Sequence, residues 1–306
     1  MMDQAERLRQ TIENLKKRQV VSQTTTLNNI KKKAAKVITV TSGKGGVGKT
    51  NITVNLAIAL SDMGKRVTIL DADFGLANID VMLGILPKYS LADVLYNNKS
   101  IFDVLSNGPG NIRFLSGGSG IEELVKLDKE HIEKFMTNIS LLDKLSDVIL
   151  IDTGAGLSDN VMSFIMAADE VILVTTPEPT SITDAYALIK MVSKRDKDKK
   201  IRVVVNRAEN ANEANDILNK LSIVTSKFLE LKLEPLGFIL YDELVIKAVK
   251  MQQPFLLSYP KSNASKHIKD ISAKIMDIKS DKDNFGNSES VGIKSFVSRI
   301  VNLLNI

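Results

Sequence analysis

The 306-residue chain has no cysteine, and that one absence excludes disulfides, thiolate-held metals and cysteine nucleophiles together. Its opening stretch, MMDQAERLRQ, carries charges where a secretory signal needs an apolar core, so it does not read as one. No run reaches the roughly 18 apolar residues that a spanning helix needs, and no internal repeat is visible. The body also lacks an excess of charge of either sign. Residues 1–36 hold nine Lys/Arg against three Asp/Glu, which leaves 32 against 33 in the rest of the chain. The formal charge of +5 therefore belongs to the N-terminal tail, and a DNA-binding footprint is not expected on the body.

A hydrophobic content of 44% with 25% charged residues is that of a globular chain. Residues 3–18 read as a short helix with a stripe at Ala5, Leu8, Ile12 and Leu15, too little to be stable alone. Ser22 to Lys36 reads as a polar linker, so residues 1–36 form an N-terminal helix and basic linker. From Val37, apolar runs alternate with helical patterns. Val37–Thr41, Val67–Leu70, Ile112–Leu115, Val148–Ile151, Val171–Val174, Ile201–Val205 and Leu236–Leu240 read as buried strands. Continuous Val/Ile/Leu runs separated by helices predict an α/β fold, a mostly parallel sheet with helices on both faces and ligands at the carboxyl ends of its strands. The domain spans 37–278, and the polar residues 279–290 read as a flexible tether.

The strongest motif follows the first strand. Ser42-Gly43-Lys44-Gly45-Gly46-Val47-Gly48-Lys49-Thr50 satisfies G-x-x-x-x-G-K-[ST] in the strand, loop, helix context that a phosphate-binding loop requires. Glycines let backbone N–H groups curl around phosphate oxygens at the positive end of the next helix. Lys49 is the candidate to neutralise β and γ phosphates and Thr50 the candidate Mg²⁺ ligand. Gly43 through Asn51 thus form the predicted nucleotide cradle. Two strands end in carboxylates: Asp71 and Asp73 in LDADFGLAN, and Asp152 in DTGAG. Either station alone is also a common helix cap.

KGGVGKT, with Lys44 directly after the first glycine, resembles the deviant phosphate loop of the MinD/ParA family of ATPases. The resemblance implies that Lys44 reaches the nucleotide of a partner subunit, so that a homodimer completes the site. It implies that Asp73 orients the attacking water, that Asp71 and Asp152 support Mg²⁺, and that Gly154 senses the γ-phosphate. Lys44, Lys49 and Asp73 are then the catalytic set. Asn206, in Val205-Asn206-Arg207, resembles the family's adenine contact, although a loop asparagine with local hydrogen bonds reads the same way. The guanine-specific N-K-x-D pattern is missing there, which favours ATP over GTP as the cofactor beside Mg²⁺.

The two tails carry their own signals. In residues 291–306, Ile293, Phe296, Val297, Ile300, Leu303 and Leu304 fall on one face, with Lys294 and Arg299 opposite. This amphipathic helix suits an anionic membrane surface; the same stripe also suits packing on its own domain. Asp3-Gln4-Ala5-Glu6-Arg7-Leu8-Arg9 resembles the DQAxxLR element of the FlhG branch of the family, regulators of flagellar number and placement. That resemblance implies that Gln4, Ala5 and Leu8 stimulate an SRP-type GTPase, FlhF. It further implies flagellar C-ring proteins as partners, and a place in the cytoplasm and at the inner face of the cell membrane, at poles or flagellar sites. ParA-like DNA segregation and MinD-type division-site selection are the competing functions. The body's charge balance argues against the first, and the N-terminal arm is unexplained by the second.

Overall fold

The computed structural model describes residues 34–73, 78–117, 129–276 and 292–303. The expectations for Gln4, Ala5, Leu8 and Leu304 lie outside those residues. Within Ala34–Ile306, the first half of the fold runs β1 (Lys36–Thr41), α1 (Lys49–Asp62), β2 (Val67–Ala72), α2 (Ile79–Leu83), α3 (Leu91–Tyr96) and α4 (Ile101–Val104). It continues with β3 (Ser106–Asn107), β4 (Arg113–Leu115), α5 (Lys129–Ile139), α6 (Leu142–Leu145), β5 (Val148–Thr153) and α7 (Asp159–Ala167). The second half comprises β6 (Glu170–Thr175), α8 (Pro179–Ser193), β7 (Ile201–Ala208), α9 (Ala211–Leu229) and β8 (Leu233–Leu240). Among the described residues four helices follow: α10 (Glu243–Lys250), α11 (Phe255–Ser258), α12 (Asn263–Met276) and α13 (Gly292–Leu303).

Each apolar run read as a strand is one, and the eight strands form a single sheet in the order β3-β4-β2-β5-β1-β6-β7-β8. All neighbours are parallel except β3 and β4. Alternate residues of the central strands feed opposite layers. Ile38, Val40, Ile69, Leu150 and Ile172 pack under α1 and α12. Val37, Leu70, Ile149 and Ile151 face α5, α7 and α13, while Leu173, Val203 and Val205 face α8 and α9. Helix α1 is buried along almost its whole length, from Ile52 to Leu60, as expected for a helix that is apolar all round.

The order reverses beside β1, whose neighbours are β5 and β6. The carboxyl ends of β1, β2 and β5 therefore meet at one place, the switch point where open α/β sheets bind ligands. The register sets Asp71 directly across from Asp152.

Candidate functional site

The loop between β1 and α1 is closed by contacts that only glycine permits. A Cβ on Gly43 would lie 2.4 Å from the backbone of Asp184 in α8, and one on Gly48, at φ 90°, would lie 2.5 Å from Asn206 Nδ2. Gly45 and Gly46, in contrast, would have nothing within 4 Å of an added Cβ, so this part of the loop presents bare backbone to open space. Side chains there would fill the space a phosphate chain needs. The residues thus fit a polyphosphate on the geometry of the loop itself.

The two lysines of the loop stand in opposite environments. Lys49 is buried, and its Nζ lies 3.0 Å from Oδ1 of the fully buried Asp152. Thr50 donates to the other carboxylate oxygen at 2.6 Å, and Thr53, a turn further on, reaches Oδ1 at 3.1 Å. Lys44 is 38% exposed and turns outward, 2.8 Å from Glu178 and 2.9 Å from the Thr180 hydroxyl at the start of α8. That contact holds the Glu178 carboxyl below its usual range.

Asp71 accepts the backbone N–H groups of Asp73, Asn78 and Ile79. Burial, then the charge of Asp152 across the register, raise its pKa to about 7 despite those amides. Asp73 receives the Asn78 side-chain amide at 3.2 Å and lies against Gly154, where a Cβ would be 3.6 Å from its Oδ1. The Gly156 N–H donates to Ser42 O, tying the loop after β5 to the phosphate loop. Lys49, Thr50, Asp71, Asp73, Asp152 and Gly154 are thus brought to one place.

Among the described residues, no cluster of three or more His, Asp or Glu side chains is placed to hold a metal ion unaided. The oxygens of Thr50, Asp71 and Asp152 fit Mg²⁺ that arrives with phosphate, because this cation keeps several waters and takes few protein ligands.

Behind Gly48 lies a cavity of about 480 Å³, walled by Ile52, Ile239, Val245 and Phe255, with Asn51, Asn206, Arg207, Tyr241, Asp242 and Lys250 as its polar residues. Asn206 Nδ2 donates to Val47 O at 2.7 Å, which leaves its oxygen for the cavity. An apolar slot with a few fixed polar atoms suits a planar base. Asp242 is the N-cap of α10 and also accepts from Ala264 N in α12, a structural role.

Sequence reasoning missed three supporting side chains. Thr53 follows Lys49 at one helical turn, a spacing that marks it as able to reach the same carboxylate. Glu178 stands in the stretch after β6 but is far from Lys44 in sequence. Asn55 carries no signal beyond being a polar residue inside an apolar helix.

The C-terminal stripe faces the domain. Ile293, Phe296, Val297 and Ile300 are buried against α5 and α7, and Phe296 stacks on Phe164 with ring centroids 6.0 Å apart. Leu303 stays 44% exposed. At one end Asp143 of α6 accepts both Ile293 N and Ala35 N. At the other, Arg299 donates to Ala167 O, while Lys199 donates to Met166 O and Ala168 O. Burial, and then the neighbouring Arg299 charge among smaller influences, lower Lys199 to about 8.

A parallel sheet, a glycine-lined loop opening a buried helix, and a lysine, a threonine and carboxylates meeting at the switch point define a P-loop nucleotide-binding protein. The ParA family model, described as NUBPL iron-transfer P-loop NTPase, matches residues 33–276, and the chain belongs to the ParA/MinD family of P-loop NTPases. It is 47% identical to the antiactivator FleN of Pseudomonas aeruginosa over 78% of this chain and 85% of that one. It is 33% identical to the flagellum site-determining protein YlxH of Helicobacter pylori over 88% and 90% of the two chains. Among solved structures, the cell division ATPase MinD of Pyrococcus furiosus matches with a TM-score of 0.62 and 28% identity, covering 79% of this chain and 98% of that one. The septum site-determining protein MinD of Pyrococcus horikoshii, complexed with Mg-ADP, matches with a TM-score of 0.63 and 26% identity over 82% and 100%.

Proposed function

We propose that the protein is an ATP-dependent, dimerising switch ATPase that regulates the number or placement of flagella. The observation that carries the switch is the division of labour between two lysines on one loop. Lys49 is buried and bound to Asp152, whereas Lys44 is on the surface, held by Glu178 and Thr180 of its own chain. Such a cation can be given up to the nucleotide of a second copy, and the family resemblance supports that use. The flagellar assignment is supported by FleN and YlxH.

In this reading Gly43 to Asn51 bind the phosphates through backbone N–H groups, and Lys49 exchanges Asp152 for phosphate oxygens. Thr50 and Asp152, with Asp71 behind, hold Mg²⁺, whose role is to neutralise charge on the transferred phosphoryl group. Asp73, fixed by Asn78, orients water, and Gly154 beside it places its N–H toward the γ-phosphate. Catalysis is then positioning and electrostatics, and turnover waits for Lys44 of the second copy.

For α13 the reading is a two-place helix. Its apolar face is on the domain in this structure and would pass to an anionic membrane surface when two copies offer two helices, since paired weak anchors gain avidity. Gln4, Ala5 and Leu8 are proposed to stimulate an SRP-type GTPase, with flagellar C-ring proteins as further partners at the cytoplasmic membrane face.

The test combines an Asp73→Ala variant with Mg·ATP in analytical ultracentrifugation. Dimers are expected, and Lys44→Ala should abolish them; single copies at saturating nucleotide would end the proposal. A peptide of residues 1–19 that fails to bind or stimulate the GTPase would remove the flagellar part and leave the switch.

A further inference from the structure

Helix α1 carries a fully buried amide, Asn55, whose hydrogen bonds run in one direction. The Leu256 N–H of α11 donates to Asn55 Oδ1 at 2.8 Å. A backbone N–H only donates, so the oxygen of Asn55 must face Leu256 and its nitrogen must face away. That nitrogen donates to Asn51 O at 2.8 Å and to Asn51 Oδ1 at 3.0 Å. An amide nitrogen is a donor in its turn, so Asn51 has to point its oxygen inward. Asn51 lies in the wall of the base-side cavity, and the end left to that cavity is its Nδ2.

The geometry points to Asn55 as a positioning residue that presets Asn51 as a hydrogen-bond donor toward an acceptor atom of the bound nucleotide, a ring nitrogen or a phosphate oxygen. An unconstrained asparagine offers either end to a ligand. Here a single backbone N–H, in a different helix, decides which one. Asn206 is set the opposite way by Val47 O, so the two asparagines offer the cavity one fixed acceptor and one fixed donor. An adenine carries both complements, an exocyclic amino group and ring nitrogens. If Asn55 served only to tie α1 to α11, Leu256 N would suffice as its partner and Asn51 would be irrelevant to it.

This inference rests on the ATP-binding reading, and the test keeps the two apart. ADP binding to the full chain is titrated calorimetrically for the wild type, Asn51→Ala, Asn55→Asp and the double variant. An aspartate at 55 still accepts from Leu256 N, but its second oxygen can only accept: it gives up the bond to Asn51 O and draws Asn51 Nδ2 inward, which turns the Asn51 oxygen to the cavity. Each single change is expected to weaken ADP by about tenfold. The double variant should be no weaker than Asn51→Ala alone, a non-additivity that a purely structural tie would not produce. Effects that multiply overturn the relay; a wild type that binds no ADP or ATP overturns the nucleotide reading instead.

Competition with tripolyphosphate identifies the acceptor. If the variants lose affinity for it as well, Asn51 meets a phosphate; if only ADP is lost, Asn51 meets the nucleoside, and either pattern supports the relay. Should Asn55→Asp fail to fold, side-chain amide NMR of the wild type decides. Asn51 NH₂ signals should shift on ADP addition while those of Asn55 stay protected from exchange, and an unmoved Asn51 overturns the proposal.

Discussion

The phosphate loop and the C-terminal helix are both anchored to the sheet, but by different chemistry. At the loop the contacts are polar and buried: Lys49, Thr50 and Thr53 converge on an Asp152 with no exposed surface, and a charge removed there leaves another stranded. Along α13 the contacts are apolar, four side chains and a ring stack, with one polar clasp at each end. Charged burial demands a partner for every charge. Apolar burial asks only that some surface cover the stripe, be it a domain or a lipid layer. The first region is restricted to arrangements in which every buried charge keeps a charged partner, whereas the second is an affinity that another surface can satisfy.

The largest effect should come from Lys49→Ala. Stranding Asp152 is expected to cost about 3–5 kcal/mol of stability and to abolish Mg·ATP binding, read by denaturant unfolding and calorimetry. Retained binding would show that the buried pair is not part of the site.

Next is the pH response of Asp71. Its folded pKa of about 7 lies above the ordinary aspartate value of 3.8, so its contribution to stability is complete below pH 4 and is lost as pH rises through 7. The nucleotide-free wild type should therefore gain on the order of 4 kcal/mol from this group between pH 8 and pH 4. Asp71→Asn should remove that part of the pH dependence, and parallel stability curves for the two proteins would refute the assignment.

Phe296→Ala sharpens the contrast. A core phenylalanine costs about 3–5 kcal/mol, but here the loss is limited to what docking itself contributes, because the helix can leave. Hydrogen exchange should show residues 292–303 opening while the sheet and ADP affinity are unchanged; a drop in global stability of the full core value would mean that the helix is fixed in place no less firmly than the loop.

The smallest effect is expected from Gly292→Ala. Gly292 has φ 72°, and an added Cβ would lie 2.7 Å from the Asp143 oxygens, so undocking by about 1–2 kcal/mol should follow. Limited proteolysis of the C-terminal residues reads it.

How far the sequence could be read follows the same division. The seven runs such as Val37–Thr41 and Val148–Ile151 announce strands because both sheet faces are covered and nearly every position must be apolar. β3 left no such trace: Ser106 and Asn107 are polar, and two residues pairing at an edge need no periodicity. The phosphate loop was legible because its chemistry is local, nine successive residues. Asn55 and Glu178 were not, since their roles depend on Leu256 and Lys44, brought close only by the fold. Phe296 and Ile293 show the remaining limit: a 3.6-residue stripe reveals that a face will be covered and is silent on what covers it.

The clasps of α13 are each doubled. Asp143 retains Ala35 N if Ile293 departs, and the carbonyl end of α7 retains Lys199 if Arg299 departs. Departure therefore orphans no charge on the parent surface: the Ala167 carbonyl exchanges its Arg299 donor for water, and what else the vacated groove exposes is its oily lining. A helix so fastened can detach and return many times without the domain having to refold around the place it left.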